Sequence, residues 1–403
     1  MSLRKLLSIA AGVAIGLACS PESKSVVLPD DAVDGGGQQK PGTETIHTAV
    51  GGNFNENIEQ IEGVYKELKA EKIPYIRSFI NITPWLKRDA NGITGVKTYA
   101  VEASDLMKKF AKIRDEVPSA KLVLSIKTVF ENLPGEVPGK GSAGVQYIFD
   151  CVEMILNTES LGEKISVLVL GNEPMWENGE KESNIQNYAD FLNAFANKVA
   201  EWKKSKGWSF EVYAGALNRF SVLHETNPLI PSIVNVVNSN KNIDGIDLHI
   251  HAESVDECEN SLNLVRGRYK VTKKIMCSEI SMVWKLGKIL KNNTQSGWLD
   301  DTAKKAIAGN AINRDEFANH FKSVSGYPHN WFRSFSQSFD KYKVSFVTAR
   351  FSAVESDVVI NNNTTFWELG ALYSARFLGR KEDGTMQTSP LVYDDYAEYI
   401  SSK

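Results

Sequence analysis

Two glutamates stand at matching points of two otherwise unlike stretches. Ile165-Ser166-Val167-Leu168-Val169-Leu170-Gly171-Asn172-Glu173-Pro174 is an apolar run that ends in a carboxylate flanked by an amide and a proline. Lys273-Lys274-Ile275-Met276-Cys277-Ser278-Glu279-Ile280-Ser281-Met282 starts basic, is apolar through its middle and ends near Glu279. A Val/Leu/Ile run without polar alternation suits a parallel strand covered on both faces, and Pro174 ends the first run by removing a ladder donor. Each strand therefore delivers a carboxylate to an edge. Two carboxylates held close together cannot both ionise cheaply, so one is pushed up and stays protonated near neutral pH while the other stays charged. Such a pair can donate a proton and supply a nucleophile or base in one site.

The interval between the glutamates accommodates two or three strand-helix units at about 30 residues or more each, which in a closed barrel brings two strand tips to face each other across the mouth. The rest of the chain reads the same way. Strands are expected at 46–50, 75–80, 121–127, 165–170, 210–216, 243–251, 273–282 and 343–349, with helices near 57–72, 103–116, 145–156, 185–204, 231–238, 255–269 and 366–377. A long aromatic-rich insertion, 284–340, separates the last two strands. Eight such units predict a single-domain (β/α)8 TIM barrel over residues 44–403.

Other polar residues fall at or near strand ends. Arg77 is expected to close strand two and Lys127 strand three, Asn218 with Arg219 follows strand five, and His249 and His251 share one face of strand six by its period of two. No third ligand is apparent beside the histidines, so they are expected to line the site rather than bind metal. Trp85, Trp176, Trp284, Trp298 and Trp331 fall in loops expected on the same side as the glutamates, where aromatic rings could form a flat binding platform.

The chain has 403 residues, a formal charge of −3 and four cysteines. The charge gives no reason to expect nucleic acid as a partner. Residues 1–18 combine Arg4 and Lys5 with a short apolar core and small residues, an export signal too short to be a spanning helix, which needs about 20 apolar residues. Residues 19–43 are polar and rich in Gly, Pro and Ser, a flexible tether. Leu17-Ala18-Cys19 resembles the lipobox of bacterial lipoproteins, which implies lipidation of Cys19, membrane anchoring and an outer-membrane, cell-surface or periplasmic location. Cys151, Cys258 and Cys277 are an odd set with no neighbouring His at ligand spacing, and read as small buried hydrophobes.

Gly171-Asn172-Glu173-Pro174 after strand four, with a glutamate closing strand seven, resembles the "4/7" superfamily of retaining glycoside hydrolases, clan A. The resemblance implies that Glu173 is the general acid/base, Glu279 the nucleophile and Asn172 a donor to a sugar 2-hydroxyl. It implies that Arg77 contacts the nucleophile carboxylate and that a strand-six histidine hydrogen-bonds it; Lys127 and Asn218 are further site candidates by position alone, and Trp176 and Trp284 are candidate platforms for the sugar. Retaining enzymes hold their two carboxyls about 5 to 5.5 Å apart. Many members have a tryptophan at the end of strand eight, where this chain has Arg350-Phe351-Ser352, and Trp284 or Trp367 are the candidates to replace it. The expected activity is cofactor-free, metal-free hydrolysis of a β-linked glycan by a monomer, β-glucan including β-1,3-glucan ahead of mannan and xylan. A surface glycan-binding lipoprotein on an inactive barrel and a transglycosylase are the other readings.

Overall fold

The computed structural model of the protein describes residues 48–56, 58–130, 137–178, 182–285, 288, 326–353, 374–380, 382–389 and 391–401. The export signal, Cys19, the tether, Trp298, Trp367 and most of the insertion after strand seven lie outside the described residues. Eight parallel strands close into a barrel: β1 (Ala49–Asn53), β2 (Tyr75–Asn81), β3 (Lys121–Lys127), β4 (Ile165–Leu170), β5 (Glu211–Asn218), β6 (Gly245–His251), β7 (Lys274–Ser281) and β8 (Val344–Arg350). Each pairs with the next in the chain, and β8 pairs back with β1 from Ala49↔Phe346 to Asn53↔Arg350. Helices cover the outside, among them Asp105–Glu116, Ala143–Asn157, Glu182–Lys206, Leu229–Ser239, Val255–Asn263, Trp331–Lys341 and Tyr393–Ser401. Among the described residues no helix is long and apolar enough to cross a membrane.

Burial on both faces explains the unbroken apolar runs. Val123, Val167, Val169, Tyr213, Ala216, Met276 and Phe346 fill the barrel interior, where Tyr75 stacks on Phe346 with ring centroids 4.0 Å apart. The alternate residues, such as Leu122, Leu124, Leu168, Leu170, Ile246 and Leu248, join the outer core beneath the helices. Cys151, Cys258 and Cys277 are free and buried.

Two expected boundaries are corrected. The first strand begins at Ala49, three residues after the expected Ile46, and takes in Gly51-Gly52. A Cβ on Gly51 would stand 2.3 Å from the Tyr75 carbonyl oxygen, so the close approach of β1 and β2 requires glycine just where the expected strand had ended. The closing helix is Tyr393–Ser401. Within the expected 366–377, residues 366–373 lie outside the described set and Arg376–Arg380 is a strand, paired with Ser352–Ala353 and Met386–Thr388. Its Arg376 is pinned by Glu71 and by the Tyr393 hydroxyl, long-range contacts that outweigh a short helical pattern. A hairpin of Leu86–Asp89 with Gly92–Val96, turned at Asp89-Ala90-Asn91, was not anticipated.

Candidate functional site

The site lies at the C-terminal ends of the strands, and three local departures from regular structure build it. At the tip of β4, Gly171 has φ 103° and Glu173 φ 45°. A Cβ on Gly171 would stand 2.5 Å from the Tyr188 hydroxyl, and a left-handed backbone at Glu173 is strained for a residue with a side chain. On β7 one extra residue separates the pairs Asp247↔Met276 and His249↔Glu279. Plain alternation after Met276 and Ser278 would turn Glu279 outward. The bulge lets Ser278 and Glu279 both face inward while Ile280 joins the outer core. A second extra residue, on β5 between Ala214 and Leu217, brings Asn218 inward in the same way. Strand β6 is regular, with Ile246, Leu248 and Ile250 outside and Asp247, His249 and His251 inside.

Glu173, His249, His251 and Glu279 each present an oxygen or nitrogen within 4.8 Å of the others. His249 Nδ1 is 3.0 Å from Glu173 Oε1 and 3.8 Å from Glu279 Oε1. His251 Nε2 is 3.7 Å from Glu173 Oε1 and 3.6 Å from Glu279 Oε2, too far for a hydrogen bond to either. The far sides of both rings are held: His249 Nε2 is 3.1 Å from Ser278 Oγ, whose hydroxyl donates to Asp247 at 2.6 Å, and His251 Nδ1 is 2.6 Å from Ser281 Oγ. The Asn218 amide donates to Glu173 Oε1 at 2.7 Å.

Arg77 is not at the end of β2 but third of its seven residues, fully buried, with its side chain reaching along the interior. Its guanidinium donates to Glu279 Oε1 at 2.6 Å, Asn172 Oδ1 at 2.7 Å, Asn53 Oδ1 at 3.1 Å and Ser125 Oγ at 3.2 Å. The other end of the Asn172 amide donates to Glu177 Oε1 at 3.3 Å, and Lys127, the last residue of β3, is 3.0 Å from the same oxygen. Asn172 is thus fixed at both ends.

The electrostatics differ from the expected pattern. Burial pushes the Glu173 carboxyl up, but the imidazoles of His249 and His251 outweigh it and lower the group to about 2. Burial opposes ionisation of Glu279 too, and the charges of His249 and Arg77, with His251, hold it well below the usual range. Burial pulls His251 down, while the two glutamates raise it to about 9. In this arrangement the surrounding cations outweigh the repulsion within the pair, so both carboxyls are lowered and the His251 imidazole is raised. Glu177 behaves oppositely: burial raises it to about 7 despite Lys127. At Lys127, the charge of Glu177 and its hydrogen bond prevail over burial and raise the ammonium.

The tryptophans divide. Trp176 is 49% exposed on the short helix Pro174–Glu177, at the rim beside Glu173. Trp284 is partly buried with the Arg219 guanidinium 4.9 Å from its ring, and Arg219 also pairs with Glu253 at 3.1 Å. Trp85 packs against the outer core. Trp331 is not in a loop: it is buried as the first residue of a helix, against Phe332 and Phe335. Phe351 is fully buried beside Phe54 and Tyr396, so among the described residues no ring at the end of β8 faces the site. Asn53, Ser125, Glu177, Asp247, Ser278 and Ser281 were not anticipated. Of these only Asp247 carried a signal, since it continues the alternation of His249 and His251. The carboxylates that come within reach of the two histidines are those of Glu173 and Glu279, which the sequence places far away along the chain.

No protein-family model and no curated protein sequence matches the chain. Solved structures do. An endo-β1,6-glucanase superposes with a TM-score of 0.52 at 13% identity, over 88% of this chain and 75% of its own. An endo-1,4-β-D-mannanase from Thermotoga petrophila RKU-1 gives 0.52 at 8%, over 88% and 100%. A β-glucosidase from Exiguobacterium marinum gives 0.50 at 9%, over 88% and 98%. At these identities the likeness shows a shared fold, and that fold is the (β/α)8 barrel.

Proposed function

We propose that the chain is a retaining glycoside hydrolase acting on a β-linked glycan, with β-glucan, including β-1,3-glucan, the favoured substrate. The observation that carries the reading is the approach of Glu173 and Glu279 to within 4.8 Å across the barrel mouth. That is close to the separation of about 5 to 5.5 Å at which one carboxylate attacks an anomeric carbon while the other protonates the leaving oxygen. Glu279, kept ionised by Arg77, attacks the sugar carbon. The bond to the leaving oxygen breaks as Glu173 gives that oxygen its proton, and a glycosyl ester forms. Water then attacks the same carbon, Glu173 takes the water's proton, and the Glu279 carboxylate is released. Glu173 must be loaded first, and the imidazolium of His251, 3.7 Å away, is the nearby proton source. Asn172 is the donor to the sugar 2-hydroxyl, and Trp176 the exposed ring at the rim.

The N-terminal reading belongs to the same proposal: cleavage before Cys19, lipidation there, and an exported enzyme on a tether. The full chain, assayed for reducing sugar against defined β-linked glycans, is expected to release product from at least one. Glu173→Ala and Glu279→Ala are each expected to lose more than about 10³-fold in rate. Binding without turnover in the wild type overturns the hydrolase reading in favour of a glycan-binding protein, and longer products than substrates would indicate transglycosylation.

A further inference from the structure

The cluster described above is also a donor set. We infer that Glu173, His249, His251 and Glu279 form a binding site for a zinc-class divalent cation, whose occupation ties up both glutamates and makes such a cation an inhibitor. The inhibition half rests on the proposed glycosidase reading, whereas the binding half stands without it.

Three observations support the site. First, ligand atoms about 2.0–2.1 Å from a tetrahedral zinc stand about 3.3–3.4 Å from one another. The separations of 3.0 Å (His249 to Glu173), 3.7 Å (His251 to Glu173) and 3.6 Å (His251 to Glu279) bracket that value, and with His249 3.8 Å from Glu279 and every pair within 4.8 Å the widest pair would close by up to about 1.5 Å to seat the ion. Second, His251 Nε2 is buried with no hydrogen-bond partner and faces both carboxylates, so the ion would take the place of the proton held there. Third, the outer contacts are of the kind that orient metal-binding histidines: His249 is backed by Ser278 and Asp247, and His251 by Ser281. Arg77 holds Glu279 through Oε1, which leaves Oε2, the oxygen nearer His251, to the ion. Two imidazoles with two carboxylates suit zinc and its transition-metal neighbours, whereas magnesium and calcium take oxygen ligands alone.

The test titrates the full chain, without an added histidine tag, with zinc chloride by calorimetry, and records visible spectra with cobalt(II). One zinc per chain, tetrahedral cobalt bands and no heat with magnesium are expected. His251→Gln, folded by circular dichroism, should lose more than the roughly 10–100-fold typical of outer-contact changes, and Ser278→Ala should fall within that range. No zinc heat, or a zinc affinity unchanged in both variants, overturns the site. The glycan assay run on the same protein separates the two readings. Hydrolysis without zinc binding sinks this inference alone, and zinc binding without hydrolysis sinks the glycosidase reading and the inhibition that rests on it. Hydrolysis that persists unchanged with zinc bound overturns the inhibition.

Discussion

Replacing Arg77 with leucine removes the one guanidinium inside the described part of the barrel mouth that bonds Glu279. Arg77 has no exposed side-chain surface and Glu279 only 14%, so solvent screens their 2.6 Å contact little. Removing one partner of a buried ion pair strands the other charge, at a cost of about 3–5 kcal/mol. The acceptors on Asn172, Asn53 and Ser125 lose their donor as well, so the upper half of that range is expected. In folding equilibrium this is a loss of about 700- to 5,000-fold. The assay is urea unfolding at neutral pH of wild type, Arg77→Leu, Glu279→Gln and the double variant. Because the pair is in contact, the cycle should show a coupling of about 0.5–3 kcal/mol, with the double variant more stable than additivity predicts. A cost for Arg77→Leu below about 1 kcal/mol, or additive losses, would refute the reasoning that this pair is buried and unscreened.

The remaining predictions concern parts of the frame. Gly51→Ala sets a methyl 2.3 Å from the Tyr75 carbonyl and should cost about 1–3 kcal/mol, read as a lowered thermal midpoint; an unchanged midpoint would mean that β1 and β2 do not approach as described. Glu177 has a folded value of about 7 against an ordinary 4.5, so between these values the folded chain holds a proton that the unfolded chain has released. Its contribution to stability therefore falls as pH rises through that window, by up to about 3 kcal/mol. Glu177→Gln should flatten the fall when urea midpoints are compared across that range, and a slope identical to wild type would show that Glu177 is not buried as a neutral acid.

The barrel was legible because its signal is redundant. Most of the eight strands were visible as apolar runs bounded by turns, since covering both faces of a parallel sheet demands such runs. The strand that was misplaced, β1, is the one where crowding against β2 demanded glycine instead of an apolar side chain. The histidines of β6 were read correctly as sharing a face, because that strand keeps its period of two from Asp247 to His251. Period alone would have turned Glu279 away from them.

By itself the sequence determined the eight barrel strands and most of the helices between them, and that two glutamates ride on strands four and seven, because burial and chain reversal leave local marks in residue type. Tertiary structure alone decided that those glutamates meet. The bulges in β5 and β7 arise from register between neighbouring strands, and the lowering of both carboxyls arises from charges brought together out of β2, β4, β6 and β7. Neither leaves a pattern along the chain, since both depend on distances that exist only once the barrel has closed.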